Sequence, residues 1–372
     1  MAGGFDGVRQ LCEAAVAERI VPGLVLLCAS GGRTLFHEAF GFRQLIPRRL
    51  RAAPDTVYDV ASLTKAVVTS VVTMQLCDRG MLSLDEPVSA RLPDFQGPGK
   101  DRVTVRHLLA HASGLPAHRR YWSAAAAAPS ERWAISLLAA QEPLEYPTGS
   151  RSVYSDLGFI LLGWLVERAA GLRLDVQAAR GVFQPLGLGS TTFVNLSDTE
   201  ARARLLANRS VAATQDCPER QRIILGEVDD LNAYAMGGIA GHAGLFSDAT
   251  DLGILAGALC SAWKSPTGSN IASREVIRTF WAPAGIPGST WRLGWDGPSP
   301  VGSQAGERIA RGAVGHLGFT GCSLWIDPER ELWVVLLSNR VHPQVPPKGT
   351  TDDRFRRFRP RLHDAVLDAI GT

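Results

Sequence analysis

One spacing in this chain can pair a nucleophile with a base: Ser62-Leu63-Thr64-Lys65. Residues three apart share a helix face, so the Lys65 amine would lie beside the Ser62 hydroxyl. Ser62 follows Asp59-Val60-Ala61 and opens the apolar stretch Ala66 to Cys77, which predicts a helix start, where unpaired N–H groups favour an oxyanion. The motif alone is equally satisfied by Ser62 as a helix cap and Lys65 as a solvated side chain. A second match, Ser261-Ala262-Trp263-Lys264, falls at the end of an apolar run and lacks that setting. Two further elements carry polar groups next to structural breaks. Tyr154-Ser155-Asp156 stands before the helical run Leu157–Val166, and Gly315-His316-Leu317-Gly318-Phe319-Thr320-Gly321 leads into a strand whose glycines allow close approach to the backbone. Taken singly, each reads as well as packing or a turn.

The other strong signatures of chemistry are missing. There is no G-x-S-x-G elbow, no H-E-x-x-H, no phosphate-binding G-x-x-x-x-G-K-[ST] and no dinucleotide G-x-G-x-x-G. His107 and His111 have the i, i+4 spacing of zinc ligands but no third partner, so a structural role is expected. The six cysteines are scattered among apolar residues, without a C-x-x-C pair, and read as reduced core thiols.

The elements that must position these groups follow from hydrophobic spacing. Residues 5–19 predict a helix, Leu24–Ala29 and Thr34–Phe40 two strands around Gly31-Gly32, Phe319–Ile326 and Leu332–Ser338 two more, and Arg361–Ile370 a closing helix. Between them, segments 104–112, 131–141 and 155–170 suit helices. This order predicts an α+β fold: an antiparallel sheet built from both chain ends and flanked by helices, with a mostly helical insertion. The expected division is residues 1–80 with 225–372 as the sheet subdomain and 81–224 as the helical one, with the active site between them.

Composition bounds the rest. The chain has 372 residues, 45% hydrophobic and 20% charged, and a formal net charge of +3, which excludes disordered and fibrous classes and gives no footprint for nucleic acid. The arginines 354, 356, 357, 359 and 361, interleaved with Phe355 and Phe358, read as a solvated or carboxylate-paired segment. No apolar stretch approaches the ~20 residues of a membrane span, and the first 23 residues carry no export pattern, so a cytoplasmic protein is expected.

The three elements in this chain order resemble the penicillin-recognising serine hydrolases, in the branch of class C β-lactamases, related DD-peptidases and family VIII esterases. The likeness extends over nearly the whole chain, through Leu82–Val88, Val103–Leu115, Pro147-Thr148-Gly149, Gly238–Ser247 and Asn339-Arg340. It implies a β-lactamase/transpeptidase-like fold and a covalent acyl-enzyme on Ser62, with Lys65 and Tyr154 sharing the proton work. The N–H groups of Ser62 and Phe319 would form the oxyanion hole; Asp156, His242, His316, Leu317 and Gly318 would meet the substrate. No metal and no organic cofactor is implied. Three positions depart from a β-lactamase: His316 replaces the lysine and Leu317 the threonine of K-T-G, and Asp156 replaces the asparagine of Y-x-N. A penicillin specialist is therefore not expected. Asp156 should favour a charged Lys65 and leave Tyr154 the better base, and His316, with an ordinary pKa near ~6.5, should change charge near neutrality. His242 reads equally as an anchor of backbone carbonyls and as a substrate contact.

The expected activity is hydrolysis of a small ester, amide or lactam, with a carboxylesterase first. Alternatives on the same site are a D-amino-acid amidase or peptidase, an acyltransferase and a weak β-lactamase; a ligand-binding relative without turnover is the alternative of another class. Neither a nucleic-acid nor a membrane partner is expected, and the oligomeric state is left open. Substrate choice is expected to lie in loops such as Ala117–Pro129 and Ala282–Pro300.

Overall fold

The computed structural model describes residues 4–125, 133–347 and 351–371. Its strands, in chain order, are β1 (Gly23–Ser30), β2 (Arg33–Gln44), β3 (Leu50–Arg51), β4 (Tyr58–Asp59), β5 (Thr192–Phe193), β6 (Ala213–Cys217), β7 (Arg222–Leu225), β8 (Leu245–Ser247), β9 (Val314–Leu317), β10 (Ser323–Asp327) and β11 (Leu332–Ser338). Six form one antiparallel sheet in the order β3-β2-β1-β11-β10-β9, so the two chain ends meet along β1 and β11, with Leu24 opposite Ser338 and Cys28 opposite Val334.

Side-chain alternation explains why β1 and β11 are nearly unbroken apolar runs. Leu24, Leu26 and Cys28 with Val334 and Leu336 pack on one face against the helices Asp6–Ala17 and Thr351–Ile370, through Val8, Cys12, Phe355, Leu362 and Val366. Val25 and Leu27 with Val335 and Leu337 point the other way, into the larger core shared with the helices Val71–Asp78, Asp156–Ala170 and Ala249–Lys264. A strand covered on both faces has no solvent side to code as polar. The architecture is thus α+β, a β-lactamase/transpeptidase-like fold with the antiparallel sheet flanked by helices, as expected from the sequence.

Local departures have physical reasons. The run Phe319–Ile326 is strand only from Ser323, because Gly318 to Cys322 make a tight turn in which the Gly318 N–H donates to the Cys322 carbonyl at 2.7 Å. The predicted helix 104–112 closes at Leu109, and His111 takes a left-handed backbone with φ 54°. In place of a loop throughout Ala117–Pro129 there is a short helix at Trp122–Ala125; residues 126–132 lie outside the described part, as do the first two of segment 131–141. Arg354 pairs with Glu18 at 2.7 Å and Arg359 stacks over Phe355, so the arginine-rich segment is in part carboxylate-paired and in part packed. The cysteines are free thiols, five of them buried. Among the described residues no helix is long and apolar enough to cross a membrane.

Candidate active site

A small second sheet, β4-β8-β5, delivers the Ser62 segment. Asp59 pairs with Phe246 across β4 and β8, the Val60 N–H donates to the Leu245 carbonyl at 3.0 Å, and the Leu245 N–H donates back to Thr64 Oγ1 at 3.2 Å. The chain then passes through Ala61 at φ 48°, a strained conformation for a residue with a Cβ, held by a 2.8 Å hydrogen bond from its N–H to Asp59 Oδ1. From there it enters a π-helical turn, Lys65–Ser70, continuous with the helix Val71–Asp78. Ser62 thereby stands at a helix start and half-buried, as its flanking residues predicted.

Lys65 is fully buried, yet each N–H of its ammonium finds an acceptor: Ser62 Oγ at 3.0 Å, the His242 carbonyl at 3.0 Å and Asp156 Oδ1 at 2.8 Å. Burial opposes the charge, but the Asp156 and Tyr154 oxygens outweigh it and raise the Lys65 pKa. Asp156 is depressed far below the usual carboxylate range: burial works against its charge, and Lys65 and His118 overcome it. The expected coupling of Asp156 to Lys65 is therefore present as a direct ion pair.

The helix Asp156–Ala170 sets this carboxylate. Ser155 caps it, its Oγ accepting from the Gly158 N–H at 3.2 Å and donating to the Pro116 carbonyl at 2.6 Å. The same helix meets the loop Gly238–Leu245 backbone to backbone: a Cβ on Gly241 would stand 2.1 Å from the Phe159 carbonyl oxygen, so only glycine permits this approach. The approach puts the next carbonyl, that of His242, on Lys65. His242 Nε2 is tied to Asp230 Oδ1 at 2.9 Å. It anchors the lysine through its main-chain carbonyl, its side chain is held by a carboxylate in place of the backbone carbonyls expected, and it lines the cleft.

Tyr154 lies within hydrogen-bonding reach of Ser62 and Lys65, which lower its pKa, but burial dominates and the phenol is raised above its ordinary value. Its ring packs on His111 at 4.7 Å and Trp291 at 5.6 Å between centroids. His111 accepts the Ser155 N–H on Nδ1 at 3.1 Å, and burial pushes its pKa well down, so it is a neutral structural group. His107 closes a capping box with Thr104. The structural roles expected for both are observed.

His316 requires a correction. It sits on β9, buried, 6.0 Å from the Tyr154 ring and 5.6 Å from Trp291. Burial and the Lys65 charge push its pKa down to about 3, so it stays neutral through the neutral range instead of switching there. Its Nδ1–H donates to the Leu317 carbonyl at 2.8 Å.

A cleft of about 410 Å³ opens over these groups. Ser62, Tyr154, Asp156, His242 and Phe319 line it; His316, Leu317 and Gly318 do not. Phe319 is half exposed, and among the described residues neither its N–H nor that of Ser62 has an acceptor. The cleft also holds His118, Arg120 and Trp122, from the loop Ala117–Pro129 expected to bear on substrate choice, and three groups that the sequence reading did not single out, Gln215, Glu219 and Asn232. These last three stand outside every motif, so nothing in the sequence marked them. A larger cavity, about 530 Å³ between β1, β2 and the helix Ala249–Lys264, includes Ser261 of the second S-x-x-K but none of Ser62, Lys65 or Tyr154. Lys264 is spent on an ion pair with Glu331 at 3.2 Å. Among the described residues no cluster of three or more His, Cys, Asp or Glu is arranged to hold a metal.

Comparison with known proteins agrees with this fold. The family model described as Beta-lactamase matches residues 8–356. An N-acetylmuramyl-L-alanine amidase of Bacillus subtilis (strain 168) is 32% identical, over 98% of this chain and 87% of its own length. Among solved structures, a penicillin-binding protein homologue from Caulobacter crescentus superposes with a TM-score of 0.74 at 22% identity, covering 99% of this chain and 98% of its own. EstCE1, a hydrolase with promiscuous acyltransferase activity, does so with a TM-score of 0.72 at 23% identity, covering 96% and 97%. The chain belongs to the Beta-lactamase family of penicillin-recognising serine hydrolases.

Proposed function

We propose that the chain cleaves a polar amide or ester through an acyl-enzyme on Ser62. The observation that carries this reading is the buried Lys65 ammonium, 3.0 Å from Ser62 Oγ, at the base of an open cleft. Ser62 Oγ attacks the acyl carbonyl, and its proton passes into the Lys65–Tyr154 pair, with Tyr154 as the nearer acceptor because Asp156 holds Lys65 charged. The carbonyl oxygen takes up negative charge beside the free N–H groups of Ser62 and Phe319. The leaving amine or alcohol receives the proton, and water releases the acyl group by the same steps in reverse order. With Lys65 and Tyr154 both protonated at rest, the cluster must lose one proton before it can act as a base, so activity rises with pH.

The cleft favours a hydrophilic substrate. Arg120, Glu219 and Gln215 offer hydrogen bonds and both signs of charge, and Trp122 offers a flat apolar face. Together with the similarity to an amidase, this moves the substrate class from simple carboxylesters toward polar amides, with an N-acylated amino-sugar amide first to try. A β-lactam carboxylate meets neither cation nor hydroxyl at His316 and Leu317, so lactam turnover should be slow. The division into residues 1–80 with 225–372 and 81–224, flanking the cleft, is part of this proposal and is supported by a lining drawn from both portions.

The test incubates wild type and Ser62→Ala with N-acetylmuramyl-L-alanine, p-nitrophenyl acetate, nitrocefin and a fluorophosphonate, reading rates and intact mass. A Ser62 adduct with serine-dependent amide cleavage is expected. Absence of both adduct and turnover would instead favour a binding protein that kept the fold.

A further inference from the structure

His118 stands outside every motif, yet it completes the ion pair at the centre of the site. Its Nδ1 lies 3.2 Å from Asp156 Oδ2, while Asp156 Oδ1 holds Lys65 at 2.8 Å and Lys65 holds Ser62 Oγ at 3.0 Å. Unlike Lys65, which is fully buried, the His118 side chain is 47% exposed at the cleft. One carboxylate is thus divided between an inner cation that never meets solvent and an outer imidazole that does.

We infer that His118 is a positioning residue that fixes the Asp156 carboxylate and, through its own charge, sets how tightly Asp156 holds the Lys65 proton and hence how reactive Ser62 is. The inference rests on the reading of Ser62 as nucleophile. When His118 is protonated, Asp156 neutralises two cations and its hold on the Lys65 proton weakens. When His118 loses its proton, Asp156 serves Lys65 alone and the ammonium becomes a weaker acid. The charged groups around His118 on balance favour its protonated form. Asp156 faces it from the helix Asp156–Ala170, and Asp230 acts on it from the turn before the helix Leu231–Ala235; Arg120, on its own segment, opposes the charge. Glu219 of the β6–β7 hairpin, Asp229 and His242 share the cleft, and Lys65 lies behind Asp156. Arg119, the next residue, is turned to Glu142 and Glu145. The Asp156 hydrogen bond is the largest influence and raises the His118 pKa.

Two measurements on the full chain test this. NMR of labelled histidines, with His118 assigned by its loss in His118→Gln, gives its titration midpoint. The midpoint should lie above the ordinary imidazole value in wild type and return to it in Asp156→Asn. The second is the rate at which a fluorophosphonate labels Ser62, followed across pH by intact mass. His118→Gln keeps a donor for Asp156 Oδ2 without a titrating charge. It should label about 3- to 10-fold more slowly than wild type below the His118 midpoint and equally above it, as expected for one charge acting through a shared carboxylate. His118→Ala, which removes the donor as well, should be slower at every pH, with Gln restoring the rate above the midpoint. Profiles of wild type and His118→Gln that differ by a constant factor or not at all, or a midpoint that Asp156→Asn leaves in place, would overturn the inference while leaving Ser62 as nucleophile. No adduct in wild type would overturn both.

Discussion

Two sets of buried basic groups meet at Tyr154, and they resolve burial in opposite ways. On one side Lys65 lies 4.9 Å from the Tyr154 ring and is charged. On the other, His111 and His316 pack on the same ring and on Trp291 and are neutral. All three side chains are out of water, so desolvation does not distinguish them. The carboxylate does: Asp156 contacts Lys65 directly, whereas neither histidine has an acidic partner in contact among the described residues. A buried base keeps its proton only where an acid has been buried with it. The site therefore concentrates charge at the Ser62–Lys65–Asp156 line and keeps the β9 side apolar.

The largest effect should come from the line itself. Ser62→Ala is expected to remove covalent labelling and lower turnover by more than about 10³-fold, with the thermal midpoint hardly moved. A thermal midpoint that collapsed would show Ser62 to be a structural cap. Next, Asp156→Leu strands the Lys65 ammonium and should cost about 3–5 kcal/mol in denaturant unfolding, while Asp156→Asn, which still accepts a hydrogen bond, should cost less. The pH sign follows from the depressed Asp156 pKa. Its contribution is present above the ordinary carboxyl pKa and is lost as pH falls toward its folded value, so Asp156→Asn should flatten the acid limb of the stability curve.

A third prediction concerns Asp59, the acid beneath Ser62. It accepts the Ala61 N–H at 2.8 Å and the Asp229 N–H at 2.7 Å, and its main-chain carbonyl accepts from Thr320 at 2.8 Å, joining three segments of the site. Asp59→Asn must face one of those N–H groups with its own NH₂ and should cost about 1–3 kcal/mol. Burial and the nearby Asp229 push the Asp59 carboxyl up to about 7. Its favourable contribution is complete below the ordinary carboxyl value and is lost as pH rises through 7, a decline that Asp59→Asn should remove from thermal midpoints.

Smaller effects are expected on the neutral side. With His316 at about 3, His316→Gln should leave the pH–rate profile between pH ~6 and ~8 unchanged. It should also reduce the loss of stability as pH falls from the ordinary imidazole range toward 3, where the unfolded chain takes up a proton that the folded chain refuses. A profile that shifted near neutrality would mean that His316 carries charge after all, and the contrast between the two sides would fail. Arg354→Ala, at an exposed pair with Glu18, should change stability by less than about 1 kcal/mol.

Legibility from sequence followed locality. Ser62 and Lys65 are one helical turn apart, and Ser155 caps the helix that Asp156 begins; short-range geometry of this kind is written into residue type and spacing. The paired apolar runs of β1 and β11 marked a sheet from both chain ends because burial on two faces leaves an unmistakable composition. The turn at Gly318–Cys322 and the end of the helix at Leu109 were blurred, since hydrophobic runs continue through both while hydrogen bonds do not.

By itself, then, the sequence determined the family and the order of the elements, and it named the residues proposed to react. What only the tertiary structure decided is their state of charge and their neighbours. Whether His316 is an imidazolium depends on burial and on Lys65, which is 251 positions away by the numbering. His118 and His242 gain meaning from Asp156 and Asp230, acids that no local pattern ties to them. Spacing along a chain specifies which groups can share a turn. The free energy of a proton is set by the distance in space to other charges and to water, and only the folded chain fixes those distances.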